Sequence, residues 1–408
     1  MIFRGGLFMV SFFTRTVFLV ALAHFTIELC GNFLPVLYPI LINTLGLTYS
    51  QIGIIALVAG LSEALLQPVF GYLSDQWGAR RMTVLSIAWM GTLLGLVGFT
   101  WNYLSLVGLV GLGVLGSAAF HPAGATLAST NAGKMRGAAQ SIFAVGGNFG
   151  SALSPLLVAI GISWLDLPGT MILIPIALLV SLLLHWQLGR DGQLNPHHPN
   201  PHLSQRRRLS AMPNGAKIGL SLLVAAVMCR SWIQVGFITY LPEWIESHGG
   251  SLALGGQMLA VFAVATGVGS LTGGSLSDRI GRSQVFILSM VLIGPALWLF
   301  LRSTGPWQFL LVGLVGALIG LTFPVAVIMA QETWPYGVGF ASALVMGLGW
   351  APGGLGASFT GYVADQSSLD TSLQLLIFPP LLGLVCIGVY MAWQRRSVRV
   401  LSSDVIGS

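Results

Sequence analysis

The stretch GYLSDQWGARR, Gly71 to Arg81, returns in shortened form as GSLSDRIGR, Gly274 to Arg282. The two copies stand at an offset of 203 residues in a chain of 408. The same offset pairs Pro39 with Pro242, Phe120 with Phe323, Gly146 with Gly349 and Gly150 with Gly353. One register therefore runs through most of both halves, which marks a duplicated unit and not merely a repeated loop.

The repeated loops are set in an apolar chain. Apolar runs stand at 16–45, 51–73, 82–101, 103–129, 138–163 and 169–188, then at 217–246, 255–276, 284–302, 306–332, 338–363 and 371–394. Each is close to the roughly 20 residues that cross a hydrocarbon core as a helix. Hydrophobic residues make up 55% of the chain and charged residues 7%. A soluble domain carries about 25% charged residues, so soluble enzymes, disordered chains and secreted disulfide scaffolds are excluded. The runs are too long for β-barrel strands, which alternate over about ten residues. The expected fold is an all-α polytopic membrane protein with twelve transmembrane helices in two pseudo-symmetric six-helix bundles. The bundles take residues 1–188 and 217–408, and 189–216 is a linker rich in Pro, Asn and basic residues. Six spans return the chain to the side where it began, so the halves run parallel, as in one class of secondary transporters.

The net charge of +6 is a topology signal. With the N-terminus inside, 16 of the 18 Lys and Arg fall on the inner side, leaving Arg302 outside and Arg230 within a span. That bias puts both termini in the cytoplasm, and no nucleic-acid partner is implied. Cys30, Cys229 and Cys386 sit singly in apolar runs without metal-ligand spacing. His197, His198 and His202 lie in the linker, where nothing pre-organises them. No metal and no cofactor are expected.

Residues 71–81 fit the pattern G-x-L-x-D-x-x-G-x-[RK]-[RK] and resemble the inner loop of the major facilitator superfamily. The resemblance implies a cytoplasmic gate, a latch between the halves, made by Gly71, Asp75, Gly78, Arg80 and Arg81 with Gly274, Asp278, Arg279, Gly281 and Arg282. Gln76 departs from the pattern, where the family prefers a basic residue, so the first latch is expected to be the looser. AFHPAG (119–124), AAQSIFAVGGNFGSALSPLL (138–157), AQE (330–332) and GGLGASFTGYVAD (353–365), with His24, Glu28 and Pro39, are similar to the fosmidomycin-resistance branch, a bacterial drug-efflux group. That branch usually has Asp where Glu28 stands. Span 5 also echoes a glycine-rich antiporter motif at Gly137, Gly146 and Gly150, read either as a rocking contact or as ordinary close packing.

An ionised side chain in mid-membrane costs about 2.5–3.5 kcal/mol on insertion scales, which singles out Glu28, Glu63 and Arg230. His24, Glu28 and Asn32 follow at i, i+4 and i+8 and form one polar stripe. Arg230 and Gln234 repeat the spacing on span 7; Gln140, Asn148 and Ser151 approximate it on span 5. The expected roles are proton coupling for Glu28 and His24, and a substrate cavity lined by Asn32, His121, Gln140, Asn148, Arg230 and Gln234. His121 serves there or as a hydrogen-bonded packing residue. Glu63 and Glu332 are structural or coupling groups. The function expected is alternating-access, proton-coupled efflux of a small drug-like or anionic compound by a monomer in the lipid bilayer. Proton-coupled uptake is the alternative, and a polytopic membrane enzyme a more distant one. The chain has no nucleotide-binding loop.

Overall fold

The computed structural model describes residues 15–131, 136–188, 214–334, 341, 344–345 and 349–406. Nearly all of the linker, including its three histidines, and Lys134 lie outside the described residues. Fifteen α-helices follow one another among the described residues: α1 Arg15–Gly31, α2 Leu34–Leu45, α3 Tyr49–Trp77, α4 Ala79–Gly95, α5 Tyr103–Gly113, α6 Leu115–Thr130, α7 Arg136–Leu165, α8 Leu173–Leu188, α9 Asn214–Ser247, α10 Leu252–Ile280, α11 Arg282–Phe300, α12 Pro306–Thr333, α13 Gly349–Gln366, α14 Leu369–Leu375 and α15 Pro379–Ile406. Helix is the form such runs must take, because hydrocarbon offers no partner to a backbone N–H or C=O.

Eleven segments among the described residues are long and apolar enough to cross a membrane. With α13, which carries the later part of the 338–363 run, the element order is that of the twelve expected spans. Three spans read as continuous in the sequence are broken. Span 1 divides into α1 and α2, span 4 into α5 and α6, and span 12 into α14 and α15. In span 1 the break has a local cause. Pro35 opens α2 and has no N–H to give the Gly31 carbonyl, so the ladder stops there.

By contact density the chain forms two compact units. The first comprises Met1–Leu47, Leu61–His198 and Leu241–Ala263; the second comprises Thr48–Gly60, Pro199–Tyr240 and Val264–Ser408. Within the first, α1 lies along α7 and also touches α6 and α4, while α4 packs on α8. Within the second, α11 packs on α12 and α15.

The duplication reappears in the backbone. Gly78 ends the α3–α4 turn at φ 91°, and Gly281 ends the α10–α11 turn at φ 102°. A Cβ is strained in that region, so glycine is required at the same place in both copies. Gly71 and Gly274 are different. A Cβ on Gly71 would meet nothing nearer than Pro122 at 3.7 Å, and one on Gly274 nothing within 4 Å. Close approach to the neighbouring described residues therefore does not account for glycine at these two positions.

Candidate functional site

Three spans of the first unit converge on one carboxylate. Glu28 sits in the last turn of α1, beside the break. Asn32 fills the break, and its Nδ2 donates to the Glu28 carbonyl at 3.0 Å and to Glu28 Oε2 at 2.6 Å. Ser151 of α7 donates its hydroxyl to the same oxygen at 3.1 Å. Oε1 points elsewhere, to His24 Nε2 at 3.5 Å and His121 Nε2 at 3.4 Å. His121 Nε2 is also 3.4 Å from Glu63 Oε1, which accepts from Ser117 Oγ at 2.8 Å. The i, i+4, i+8 stripe on span 1 is thus one face of a cluster whose other members come from spans 2, 4 and 5.

The His24 ring is held on three sides. Its Nδ1 lies 2.8 Å from the Phe143 carbonyl. A carbonyl only accepts, so Nδ1 carries the hydrogen and Nε2 is the atom turned to Glu28. The ring stacks on Phe143 at 4.0 Å between centroids and meets His121 edge-on at 5.3 Å. Gly147 forms the third side, where a Cβ would stand 2.5 Å from the ring atoms Cε1 and Nε2. Gly146 and Gly150 press against the Ala21 and Phe25 carbonyls, at 2.3 and 2.1 Å from where a Cβ would be. The glycines of span 5 thus let α7 lie against the backbone of α1.

A neutral His24 would set an Nε2 lone pair against a carboxylate oxygen. Two acceptors facing at this distance repel unless a cation, in the simplest case a proton, lies between them. The side chains are 12% exposed at His24, 21% at Glu28 and 24% at His121, so none of the three is fully buried. His24, Glu28, His121 and Glu63 form a string of titratable groups crossing three spans, each step 3.4–3.5 Å.

The other expected site residues fall in different places. Gln140 donates to the Ala125 carbonyl at 2.8 Å and ties α7 to α6. Asn148 is exposed. In the second unit Arg230 is 1% exposed; its Nε lies 3.3 Å from the Ile319 carbonyl and its guanidinium 5.7 Å from the centre of the Phe323 ring. Gln234, one turn along α9, is buried as well.

The repeated loops are built unequally. Arg282 reaches Glu332 Oε1 at 2.6 Å and Asp278 Oδ1 at 3.2 Å. Glu332 therefore belongs with the second loop, a link that the sequence did not reveal. In the first loop Arg80 donates to the His185 carbonyl at 2.7 Å, while Asp75 and Arg81 are exposed, as is Arg279 in the second.

One polar joint was not anticipated. In the second unit the backbone N–H groups of Tyr49 and Ser50 each donate to an Asp365 oxygen at 2.8 Å, and the Ser50 hydroxyl donates to the same carboxylate. Tyr240 donates to the Tyr49 carbonyl at 2.9 Å. Asp365 thus caps the N-terminus of α3, at the end opposite Asp75. The only sequence signal was that Asp365 closes the GGLGASFTGYVAD stretch.

Comparison with known proteins agrees with this architecture. The Major Facilitator Superfamily model matches residues 16–258 and 220–406. The fosmidomycin resistance protein of Escherichia coli (strain K12) is 30% identical over 374 residues, covering 90% of this chain and 91% of that one. The uncharacterized MFS-type transporter YfnC of Bacillus subtilis (strain 168) is 28% identical and covers 90% of each chain. Two solved structures share the fold. A bacterial homologue of the human lysosomal transporter Spinster has a TM-score of 0.74 at 16% identity, covering 93% of this chain and 96% of that one. The nucleoside transporter NupG has a TM-score of 0.73 at 15% identity, covering 93% and 99%. The duplicated loops, the twelve-span order and the family match over nearly the whole chain lead to one conclusion: the chain is a multi-pass membrane protein belonging to the Major Facilitator Superfamily of secondary transporters.

Proposed function

We propose that the protein exports a small drug-like or anionic organic compound in exchange for protons, by alternating access between halves 1–188 and 217–408, with both termini cytoplasmic. The observation that carries the coupling is the position of Glu28. One carboxylate oxygen is saturated by Asn32 and Ser151, and the other faces two imidazoles. A proton taken up there can pass between Glu28 and His24, or through His121 to Glu63, without any side chain leaving its span. Coupling requires that one proton be reached from two sides in turn, and a string with two ends, His24 and Glu63, supports that reading. Export is supported by the fosmidomycin resistance protein of Escherichia coli and by a multidrug resistance protein, MdtG, of Enterobacter lignolyticus, 27% identical over 70% of each chain. Arg230, in the other half, supports an anionic cargo.

The test is flux in proteoliposomes of known orientation under an imposed pH gradient, with fosmidomycin as the first compound and a panel of organic anions as the second. Glu28→Gln keeps the shape and the Asn32 contact but cannot release a proton. It is expected to abolish gradient-driven flux while leaving substrate-induced thermal stabilisation in place. Gradient-driven flux at the wild-type rate in that variant would refute the coupling role. Accumulation on the side the protons leave, in step with proton movement, marks export; co-movement marks the uptake alternative.

A further inference from the structure

We propose that His24, Glu28 and His121, completed by Glu63, form a binding site for a divalent transition-metal ion of the zinc class. The ligand atoms of His24, Glu28 and His121 all lie within 4.8 Å of one another. Three edges of the group are short: His24 Nε2 to Glu28 Oε1 is 3.5 Å, Glu28 Oε1 to His121 Nε2 is 3.4 Å, and His121 Nε2 to Glu63 Oε1 is 3.4 Å. A tetrahedral ion with bonds of about 2.0–2.1 Å holds its ligand atoms about 3.3–3.4 Å apart. Three of the six edges of a zinc tetrahedron are therefore already close to length, and Glu63 completes the set by moving towards the other three.

The supporting contacts are those that metal sites use. A ligating histidine donates its other ring N–H to a carbonyl or carboxylate, which sets the tautomer. His24 does this to the Phe143 carbonyl, leaving Nε2 free to bind. Asn32 and Ser151 hold the far oxygen of Glu28 and leave Oε1 for the ion, and Ser117 holds Glu63. Two imidazoles with carboxylates select zinc, cobalt or nickel over calcium and magnesium, which prefer all-oxygen shells. Each of the three first ligands keeps some exposed surface, 12% at His24, 21% at Glu28 and 24% at His121. Binding needs no transport and is read without flux, and the ion competes with the coupling proton for Glu28 Oε1 and His24 Nε2.

The test uses the purified full-length protein without a histidine tag, with His197, His198 and His202 changed to Asn so that the linker contributes no imidazole. Titration with Co2+ is expected to show one equivalent of four-coordinate ion by its intense visible absorption, displaced stoichiometrically by Zn2+. Zinc absorption fine structure on this protein is expected to show two imidazoles and oxygen at about 2.0–2.1 Å, with no sulfur. His24→Asn and His121→Asn should each weaken Zn2+ binding by more than the roughly 10–100-fold that loss of a supporting contact costs; Ser151→Ala should fall within that range. Changing Cys30, Cys229 and Cys386 to Ser should leave affinity unchanged. The proposal is overturned if the protein, shown folded by its melting curve, binds no ion, or if the bound zinc has sulfur or only oxygen neighbours. Unchanged affinity in both folded histidine variants overturns it as well. Where a histidine variant does not fold, the absorption spectrum of the linker-substituted protein decides.

Discussion

The seat of His24 can be tested through the glycine beneath it. In Gly147→Ala the new Cβ would stand 2.5 Å from His24 Cε1 and Nε2, against an ordinary contact of 3.4–4 Å. The ring must retreat by about 1 Å, because dense interiors have no slack of that size. Moving it that far takes Nδ1 from 2.8 Å to beyond hydrogen-bond reach of the Phe143 carbonyl. Loss of that bond costs about 0.5–1.5 kcal/mol, and overpacking adds about 1–3 kcal/mol, so a stability loss of about 2–4 kcal/mol is expected. Nε2 also shifts relative to Glu28, so proton-driven flux should fall with it. The measurement is a double-mutant cycle with His24→Ala, read by unfolding in mixed detergent micelles. Removing the ring removes the clash. Gly147→Ala should then cost almost nothing in the His24→Ala background, giving a coupling energy equal to that loss, about 2–4 kcal/mol. Gly60→Ala, where a Cβ meets nothing within 4 Å, is the control and should be neutral or mildly stabilising. Additivity of Gly147→Ala and His24→Ala within about 0.5 kcal/mol would show that the glycine does not shape the histidine seat.

Three further outcomes are expected. Asp365→Ala strips the cap from the N-terminus of α3 and should cost about 1 kcal/mol, read by unfolding in the same micelles; a spin-label pair at Gln51 and Ser367 should show a longer or broader distance distribution, and an unchanged one removes the capping role. Gly281→Ala forces a side chain into φ 102° and onto Gln284, so it should destabilise by about 1–3 kcal/mol, with Gly78→Ala a parallel case at φ 91°; wild-type stability in both would break the shared-turn argument. Asp75→Asn should slow turnover and shift the distance distribution between spin labels on the two repeated loops towards the inward-open population while leaving substrate binding intact, and an identical distribution under matched conditions removes the first loop from the gate.

Much of this protein could be read from its sequence, and for a definite reason. Hydrocarbon leaves a long apolar run only one backbone solution, so run length alone predicts the helices. Gly78 and Gly281 could be matched as equivalent because a turn at positive φ admits little else. The stripe of His24, Glu28 and Asn32 followed from the helical period, which places i, i+4 and i+8 on one face whatever surrounds them. The arrival of His121 and Ser151 at Glu28, and of Glu63 with its Ser117 partner at His121, had no such signal. In a soluble helix the apolar face points to the core, but here lipid and protein interior are equally apolar. Hydrophobicity therefore does not say how each helix is rotated, and packing alone turned His121 towards Glu28 Oε1 and Glu63 towards His121. The Asp365 cap on Tyr49 and Ser50, 316 and 315 residues away, is likewise a product of packing. The break in span 1 follows locally from Pro35, whereas the contacts that Asn32 makes to Glu28 from that gap came only with the fold. The sequence by itself determined which elements form and which residues share a face; tertiary structure decided which faces meet, because only contact between helices distinguishes one apolar surface from another.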